Sequence, residues 1–134
     1  MIAESHHTKN FDTWNTEKKS VHGRNVIVHC HPREVWWCYL GVNVGTEQDG
    51  DVKKFLRPVV IIRAFGVHAC LVVPLTTSRR THAMRIDVGT VDGNQAKANI
   101  SQMKVIDTKR LLEKMGMLEV STFEALRKAV KDML

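Results

Sequence analysis

The sequence predicts a mainly β fold with α-helices added at both ends, in which short antiparallel strands form a small barrel. In the middle of the chain, dense runs of valine, isoleucine and leucine alternate with turn residues. Toward both ends, apolar residues recur at three- and four-residue steps, which is typical of amphipathic helices. The length of 134 residues, 43% of them hydrophobic, fits one globular domain.

Residues 1–33 are predicted to form an N-terminal extension before a domain over 34–134. A short amphipathic helix is predicted over residues 8–21, and His22 and Gly23 would end it. Its three- and four-residue steps are marked by Phe11, Trp14, Lys18 and Val21. Docking of its apolar face on the domain is the favoured interpretation, and binding of a partner is the alternative.

The barrel strands are predicted at 34–42, 57–66, 68–77, 82–89 and 97–107. Trp36 and Trp37 are adjacent, so they point to opposite faces of their strand. One is expected in the core. The other could support a site or a dimer contact, although packing in the core or on the N-terminal helix is the favoured alternative.

Two helices are predicted to close the domain. Residues 107–116 read as a short helix that Gly116 stops. Residues 121–134 open with a capping box from Ser121 to Glu124. The face that would pack on the barrel consists of Phe123, Leu126, Val130 and Met133.

The chain is basic, since 20 lysines and arginines against 14 acidic residues give a net charge of +6. This charge favours a polyanionic partner, either nucleic acid, an acidic protein or an anionic membrane surface. The three cysteines include no CxxC pair, which favours a reducing cytoplasm. The sequence has no signal-peptide-like start and no run of about 18 apolar residues, so we expect neither secretion nor a transmembrane helix.

Residues 29–32 read His-Cys-His-Pro, with Cys38 close behind, and could be taken for metal ligands. Their spacing matches no usual zinc pattern, and no second ligand pair follows. Partly buried residues on a strand or its lead-in are the favoured interpretation, and we expect neither a metal nor a cofactor.

Four short motifs follow one another in a specific order. They are the Gly-Thr-Glu-Gln-Asp-Gly loop at 45–50, Arg57-Pro58 at the start of a valine-rich strand, Pro74 to Thr76 at the end of the next strand, and Ser101-Gln102. Together they resemble the PemK/MazF family of type II toxin–antitoxin ribonucleases, over roughly 34–134. The longer form, with the N-terminal helix and the segment at 106–116, resembles the PemK-like branch.

The resemblance implies an SH3-like small antiparallel β-barrel (CcdB/PemK/MazF-like) that forms a homodimer and cuts single-stranded RNA without a metal. The family's catalytic arginine falls on Arg57 and its catalytic threonine or serine on Thr76. The acidic residue of its first loop falls on Glu47. Glu47 could accept a proton, or orient Arg57 or another base.

The chemistry of these side chains agrees with RNA cleavage by the ribose 2′-hydroxyl. A guanidinium matches two phosphate oxygens and stabilises the developing charge, but its pKa above about 12 makes it a poor base. A threonine hydroxyl adds a further hydrogen bond to the phosphate. Alone, Arg57 could instead begin a strand and pair with a surface acid, Thr76 could be structural, and Glu47 could be a solvated loop acid.

Residues of the neighbouring loops are predicted to contact RNA, because basic side chains attract phosphates. Solvated surface charges are a nearly equal alternative. Gln48 and Gln102 could read base edges, and a structural hydrogen bond is an equal alternative for each. The predicted contacts are Gly45, Thr46, Gln48, Lys53, Lys54, Thr77, Ser78, Arg79, Arg80 and Gln102.

The sequence thus predicts a cytoplasmic toxin, an endoribonuclease that cleaves mRNA and arrests growth, with a cognate antitoxin covering its positive groove. One alternative is a non-enzymatic, CcdB-like toxin that binds gyrase. Another is an inactive SH3-like domain that binds RNA and leaves it intact. The set of Glu47, Arg57 and Thr76 argues for the enzyme, since a binder needs no such cluster.

Overall fold

The computed structural model describes residues 27–40 and 56–134. Within these ranges the chain forms seven strands and one α-helix, which confirms the mainly β prediction. The elements are β1 (Glu34–Tyr39), β2 (Leu56–Phe65), β3 (Ala69–Thr76), β4 (Arg85–Val91), β5 (Asn94–Asn99), β6 (Lys104–Asp107), β7 (Leu111–Met117) and helix α1 (Val120–Met133). The helix predicted over 8–21 and the loop over 45–50 lie outside the described residues.

The strands form a curled, antiparallel half-barrel in the order β4-β5-β3-β2-β1-β7. The long strand β3 lies at its centre, because its first half pairs with β6 and its last two residues pair with β5. Strand β2 runs along the other side of β3. The ends of β2 and β3 are therefore enclosed by neighbouring strands, and a site placed there has a rigid support.

The sheet is buried on both faces where β2 crosses the core. Side chains alternate between the faces of a strand. Val60 therefore packs in the layer that α1 covers, with Leu126, whereas Val59 and Ile61 pack in a second layer with Cys70. All five side chains are fully buried. This explains why β2 reads as a continuous apolar run rather than an alternating one.

The helix predicted over 107–116 is wrong. Residues Thr108–Arg110 form one 3₁₀ turn, and the chain then continues as strand β7. The leucines, glutamate, lysine and methionine of this segment favour helix locally. Pairing decides otherwise, since Trp37 lies opposite Glu113 and the buried Leu111 fills the second core layer.

The last helix is confirmed, but its predicted cap is wrong. Helix α1 begins at Val120, its N-cap Glu119 makes no side-chain capping bond, and Ser121 lies within the first turn. Hydrogen bonds between Arg33 and Leu118 instead fix the chain just before the helix. The Arg33 Nε donates to the Leu118 carbonyl at 2.7 Å, and the Leu118 N–H donates to the Arg33 carbonyl at 2.9 Å.

Candidate active site

Strands β2 and β3 bring Arg57 and Thr76 together. Val59 pairs with Pro74 in antiparallel register, and Arg57 and Thr76 each lie two residues beyond that pair, at the same end of the sheet. Both line one cleft of about 220 Å³. Two of the three predicted catalytic residues therefore share a site, whereas Glu47 lies outside the described residues.

The wall of this cleft is largely apolar. Trp37 of β1 pairs with Pro58 of β2, and both line the cleft with the buried Leu75 and Ala96. Apolar walls lower the local dielectric, so a guanidinium interacts more strongly with a phosphate there than in open water. The cleft is thus suited to stabilising negative charge that develops on a bound group.

The two tryptophans have different roles, as their opposite orientations predict. Trp36 packs against the second core layer, and its Nε1 donates to Glu34 Oε1 at 3.0 Å. Trp37 lines the cleft instead. Trp37 therefore borders the predicted site, the position that the less favoured of the two sequence-based alternatives gave to the second tryptophan.

The hydroxyl of Thr76 is held by its own strand end. The Ser78 backbone N–H donates to Thr76 Oγ1 at 3.1 Å. A hydroxyl has one donor and two acceptor positions, so this bond uses one lone pair and leaves the proton available for another acceptor. Thr76 can therefore donate a hydrogen bond to a phosphate oxygen without losing its backbone contact.

Several of the predicted RNA-binding residues lie beside the cleft. Thr77, Ser78 and Arg79 line a neighbouring cavity of about 310 Å³, together with Lys97 of β5. Arg80 is exposed, and its carbonyl accepts a hydrogen bond from Lys97 Nζ at 3.4 Å. Gly45, Thr46, Gln48, Lys53 and Lys54 lie outside the described residues. The cavity beside Thr76 is thus lined by two cationic side chains, Arg79 and Lys97, and one acidic side chain, Asp87.

Gln102 is placed differently from the prediction. It lies in the 3₁₀ turn Ile100–Gln102 and not on a strand. The cleft is lined by Asn94, at the opposite end of β5 from this turn. The predicted strand over 97–107 is in fact two strands, β5 and β6, because this turn separates them.

The turn between β4 and β5 contributes residues that the sequence reasoning missed. Asp92 and Asn94 line the cleft. Asp92 and Gly93 both have positive φ, 51° and 76°, and form the two-residue loop of a hairpin. An Asp-Gly pair between strand-like segments is a strong hairpin signal, so the sequence did contain a means of finding this turn.

The same turn borders a larger cavity of about 420 Å³ on its other side. This cavity shares Trp37, Val91 and Asp92 with the cleft and reaches Glu113 and Lys114 of β7. The cleft also shares Thr77, Asn94 and Ala96 with the cavity beside Arg79. The three cavities therefore follow one another around the β4–β5 turn, so an extended ligand can contact all three.

A buried carboxylate stands at the start of β1. Glu34 accepts hydrogen bonds from Trp36 Nε1 and from the His31 N–H, and pairs with Lys114 Nζ of β7 at 3.1 Å. Burial raises the pKa of Glu34, but these hydrogen bonds outweigh it, so the pKa lies below its ordinary value. Glu34 thus ties the lead-in, β1 and β7 together as a charged group.

The cysteines are core residues. Cys30, Cys38 and Cys70 are buried in the second core layer with free thiols. Burial raises the pKa of all three, that of Cys38 to about 12. Over residues 27–40 and 56–134, which include the His-Cys-His-Pro segment, no three histidine, cysteine or acidic side chains are grouped as metal ligands.

In the described part of the chain, no helix has the length and apolar character needed to cross a membrane. No curated protein is similar enough in sequence to count as a match. Several solved structures share the fold at low sequence identity.

MazF (Form-I) from Deinococcus radiodurans superposes with a TM-score of 0.66 at 14% identity, covering 81% of this chain and 97% of that chain. An endoribonuclease in complex with its cognate antitoxin, from a mycobacterial species, gives a TM-score of 0.61 at 18% identity, over 78% and 93%. The Mycobacterium tuberculosis toxin MazF-mt6 gives 0.58 at 21% identity, over 75% and 94%.

The sequence profile of one family matches residues 31–134, which is most of the chain. The match includes both residues that meet in the cleft, Arg57 and Thr76, and all seven strands of the described region. The chain belongs to the PemK-like, MazF-like toxins of type II toxin–antitoxin systems.

Proposed function

We propose that this toxin is an endoribonuclease that cleaves single-stranded mRNA internally, without a metal ion, and thereby arrests growth. The main support for the proposal is that Arg57 and Thr76 both line one cleft with largely apolar walls. Solved structures of the same fold, at 18% identity, are named endoribonucleases. The family match does not favour the gyrase-binding or inactive alternatives.

The reaction needs four things at one phosphate. The ribose 2′-oxygen attacks phosphorus, a base takes its proton, the bond to the 5′-oxygen breaks, and that oxygen receives a proton. The products are a 2′,3′-cyclic phosphate and a 5′-hydroxyl. Arg57 stabilises the charge on the non-bridging oxygens and can deliver the last proton, and Thr76 donates a hydrogen bond to the same phosphate.

Glu47 is proposed as the proton acceptor or as the group that orients it. It lies between β1 and β2 in the chain, ten residues before Arg57. Tyr39 at the end of β1 pairs with Leu56 at the start of β2, and Leu56 lines the cleft. The Glu47 carboxylate is the acid of the Gly-Thr-Glu-Gln loop, whose glycines allow a close backbone approach. Gly45, Thr46 and Gln48 of that loop are proposed to contact RNA.

The RNA is proposed to follow the basic surface beside Thr76. Thr77, Ser78 and Arg79 line the adjoining cavity. Arg80 follows them in the chain, is exposed, and its carbonyl accepts a hydrogen bond from Lys97. Lys53, Lys54 and Gln102 are further proposed contacts. Such contacts release counterions, so binding weakens steeply with salt. Trp37 adds a planar ring in the cleft, which is the type of surface on which single-stranded bases stack.

We further propose that the protein acts in the cytoplasm as a homodimer and that a cognate antitoxin covers the positive groove. The basic net charge of +6 suits an antitoxin segment that is acidic or amphipathic. Solved structures of this fold include complexes named MazE–MazF.

The test is an RNA-cleavage assay in EDTA. Purified protein is incubated with a mixed-sequence single-stranded RNA, and the product ends are mapped. We expect cleavage that persists in the chelator and leaves 5′-hydroxyl ends. Arg57→Ala and Thr76→Ala should each lower the rate by on the order of 10²-fold or more, since each removes a donor to the reacting phosphate.

Arg63→Ala is the matched control, because Arg63 lies on the same strand as Arg57 but stacks over Phe65 at the exposed end. It should cleave like the wild type. A folded protein that leaves every RNA intact would overturn the proposal. RNA that is bound with steep salt dependence but not cut would point to the inactive binder, and capture of gyrase without cleavage to the gyrase-binding toxin.

A further inference from the structure

The loop that follows Thr76 is anchored by an arginine of another strand. Arg85 Nη1 donates to Ser78 Oγ at 3.0 Å, across seven residues of chain. The same oxygen accepts the Arg80 backbone N–H at 3.3 Å. Ser78 in turn donates its backbone N–H to Thr76 Oγ1 at 3.1 Å. A chain of hydrogen bonds therefore runs from the Arg85 guanidinium to the Thr76 hydroxyl.

Arg85 is a rigid anchor. It is the first residue of β4, where it pairs with Asn99 of β5, and its backbone N–H donates to the His82 carbonyl at 2.9 Å. Residues 77–84, which connect β3 to β4 and are all described, form no strand or helix of their own. Lys97 Nζ also holds this loop, at the Arg80 carbonyl, and the Ile100 N–H holds it at the Met84 carbonyl. The Arg85 side chain differs from these contacts because it binds the hydroxyl of Ser78, the residue whose N–H contacts Thr76.

The tether affects the chemistry because it sets the position of a donor. The Ser78 N–H occupies one lone pair of Thr76 Oγ1, which restricts rotation of the hydroxyl and leaves its proton for an outside acceptor. If the loop moved, the amide would leave this lone pair and the hydroxyl could turn away. Misplacement of a reacting group by about 1 Å can cost on the order of 10²-fold in rate.

We propose that Arg85 is a positioning residue for cleavage: through Ser78 it holds the Thr76 hydroxyl in the orientation that donates to the scissile phosphate. The inference rests on the proposed endoribonuclease activity and names a residue outside the family motifs. It acts mainly on the chemical step, because Arg85 reaches Thr76 through Ser78. The same loop carries the proposed RNA contacts Ser78 and Arg79, so a smaller change in KM is expected beside the loss of kcat.

The test compares steady-state cleavage by the wild type, Arg85→Gln and Arg85→Lys on one RNA. The glutamine side chain is too short to bridge to Ser78 Oγ as the guanidinium does, so we expect kcat to fall by about tenfold or more while KM changes by less than about threefold. Lysine keeps a charged donor on a long side chain and should restore part of kcat. A rise in KM with an unchanged kcat would overturn the inference and make Arg85 a phosphate contact.

Two further comparisons exclude a general effect on folding or charge. Ser78→Ala removes the oxygen that Arg85 binds, so the double variant with Arg85→Gln should lose little more than either single variant. If the double variant instead lost kcat by the product of the two single losses, Arg85 and Ser78 would act independently, which would contradict the inference. Arg127→Gln removes the same charge from the exposed side of α1, where Arg127 pairs with Glu124, and should leave kcat and KM unchanged.

A measurement without RNA separates this inference from the proposed function. In two-dimensional NMR spectra, Arg85→Gln should shift the Ser78 amide and the Thr76 methyl signals, whereas Arg127→Gln should not. If the wild type cleaves no RNA, the proposed function fails, and these shifts still decide whether Arg85 positions Thr76. Unchanged Ser78 and Thr76 signals in Arg85→Gln would overturn the inference whatever the activity.

Discussion

Replacing Glu34 by glutamine tests the electrostatics at the start of β1. The Glu34 side chain is 7% exposed, and its two oxygens accept hydrogen bonds from Trp36 Nε1 at 3.0 Å and the His31 N–H at 2.9 Å, and pair with Lys114 Nζ at 3.1 Å. Glutamine keeps one oxygen for the two neutral donors but turns an NH₂ group toward the Lys114 ammonium and the His31 ring, whose Nδ1 lies 3.3 Å from Oε2. One charge-assisted bond is lost, which costs about 1.5–3 kcal/mol.

The pH dependence of this loss follows from the direction of the pKa shift. The pKa of Glu34 in the folded protein lies below its ordinary value of 4.5. The carboxylate therefore contributes its full stability above that value and loses it as the pH falls through the lower, folded-state pKa. The stability difference between wild type and Glu34→Gln should therefore be present at pH 7 and shrink as the pH falls below about 4.5.

Urea unfolding followed by circular dichroism at pH 7 and at pH 3 measures this difference. Glu124→Gln is the control, because Glu124 is exposed on α1 and its contact with Arg127 is 3.4 Å long. That variant should lose less than about 0.5 kcal/mol. The reasoning is refuted if Glu34→Gln also loses less than this at pH 7, or if its loss is the same at both pH values.

Two further predictions concern the two core layers. Leu126 is fully buried on α1, so Leu126→Ala should lower the free energy of unfolding by about 2–5 kcal/mol. Urea unfolding should show a lower midpoint at an unchanged m-value, and a loss below about 1 kcal/mol would contradict the packing described. Burial raises the pKa of the Cys30, Cys38 and Cys70 thiols, so iodoacetamide at about pH 7.5 should alkylate the native protein far more slowly than the protein unfolded in guanidinium. Mass spectrometry measures the extent of alkylation, and rapid labelling of the native protein would refute the burial of these thiols.

The two central strands and the last helix could be predicted from the sequence because their signals are local. Arg57 precedes a valine-rich run that is buried on both faces, and Thr76 ends a second such run. The helical face of Phe123, Leu126 and Val130 is likewise a repeat within a few turns, and all three are buried. Such patterns depend on residues that are close in the chain, so they can be recognised without knowledge of the fold.

The pairing of distant segments could not be predicted in this way. Local propensity favoured helix at residues 107–116, but β1 offered an open edge, and pairing with it made the segment strand β7. The same reason explains why two residues that line the cleft were not predicted. Asp92 and Asn94 reach the cleft only because the β4–β5 hairpin folds beside β3.

By itself, the sequence determined the mainly β class, the family, and the order of the motifs that carry Arg57 and Thr76. Only the tertiary structure decided that these two residues share one cleft, that Trp37 rather than Trp36 lines it, and that Arg85 holds the loop after Thr76. The physical reason is that strand signals report which residues are buried, whereas the partner of each strand depends on register and on contacts between residues far apart in the chain.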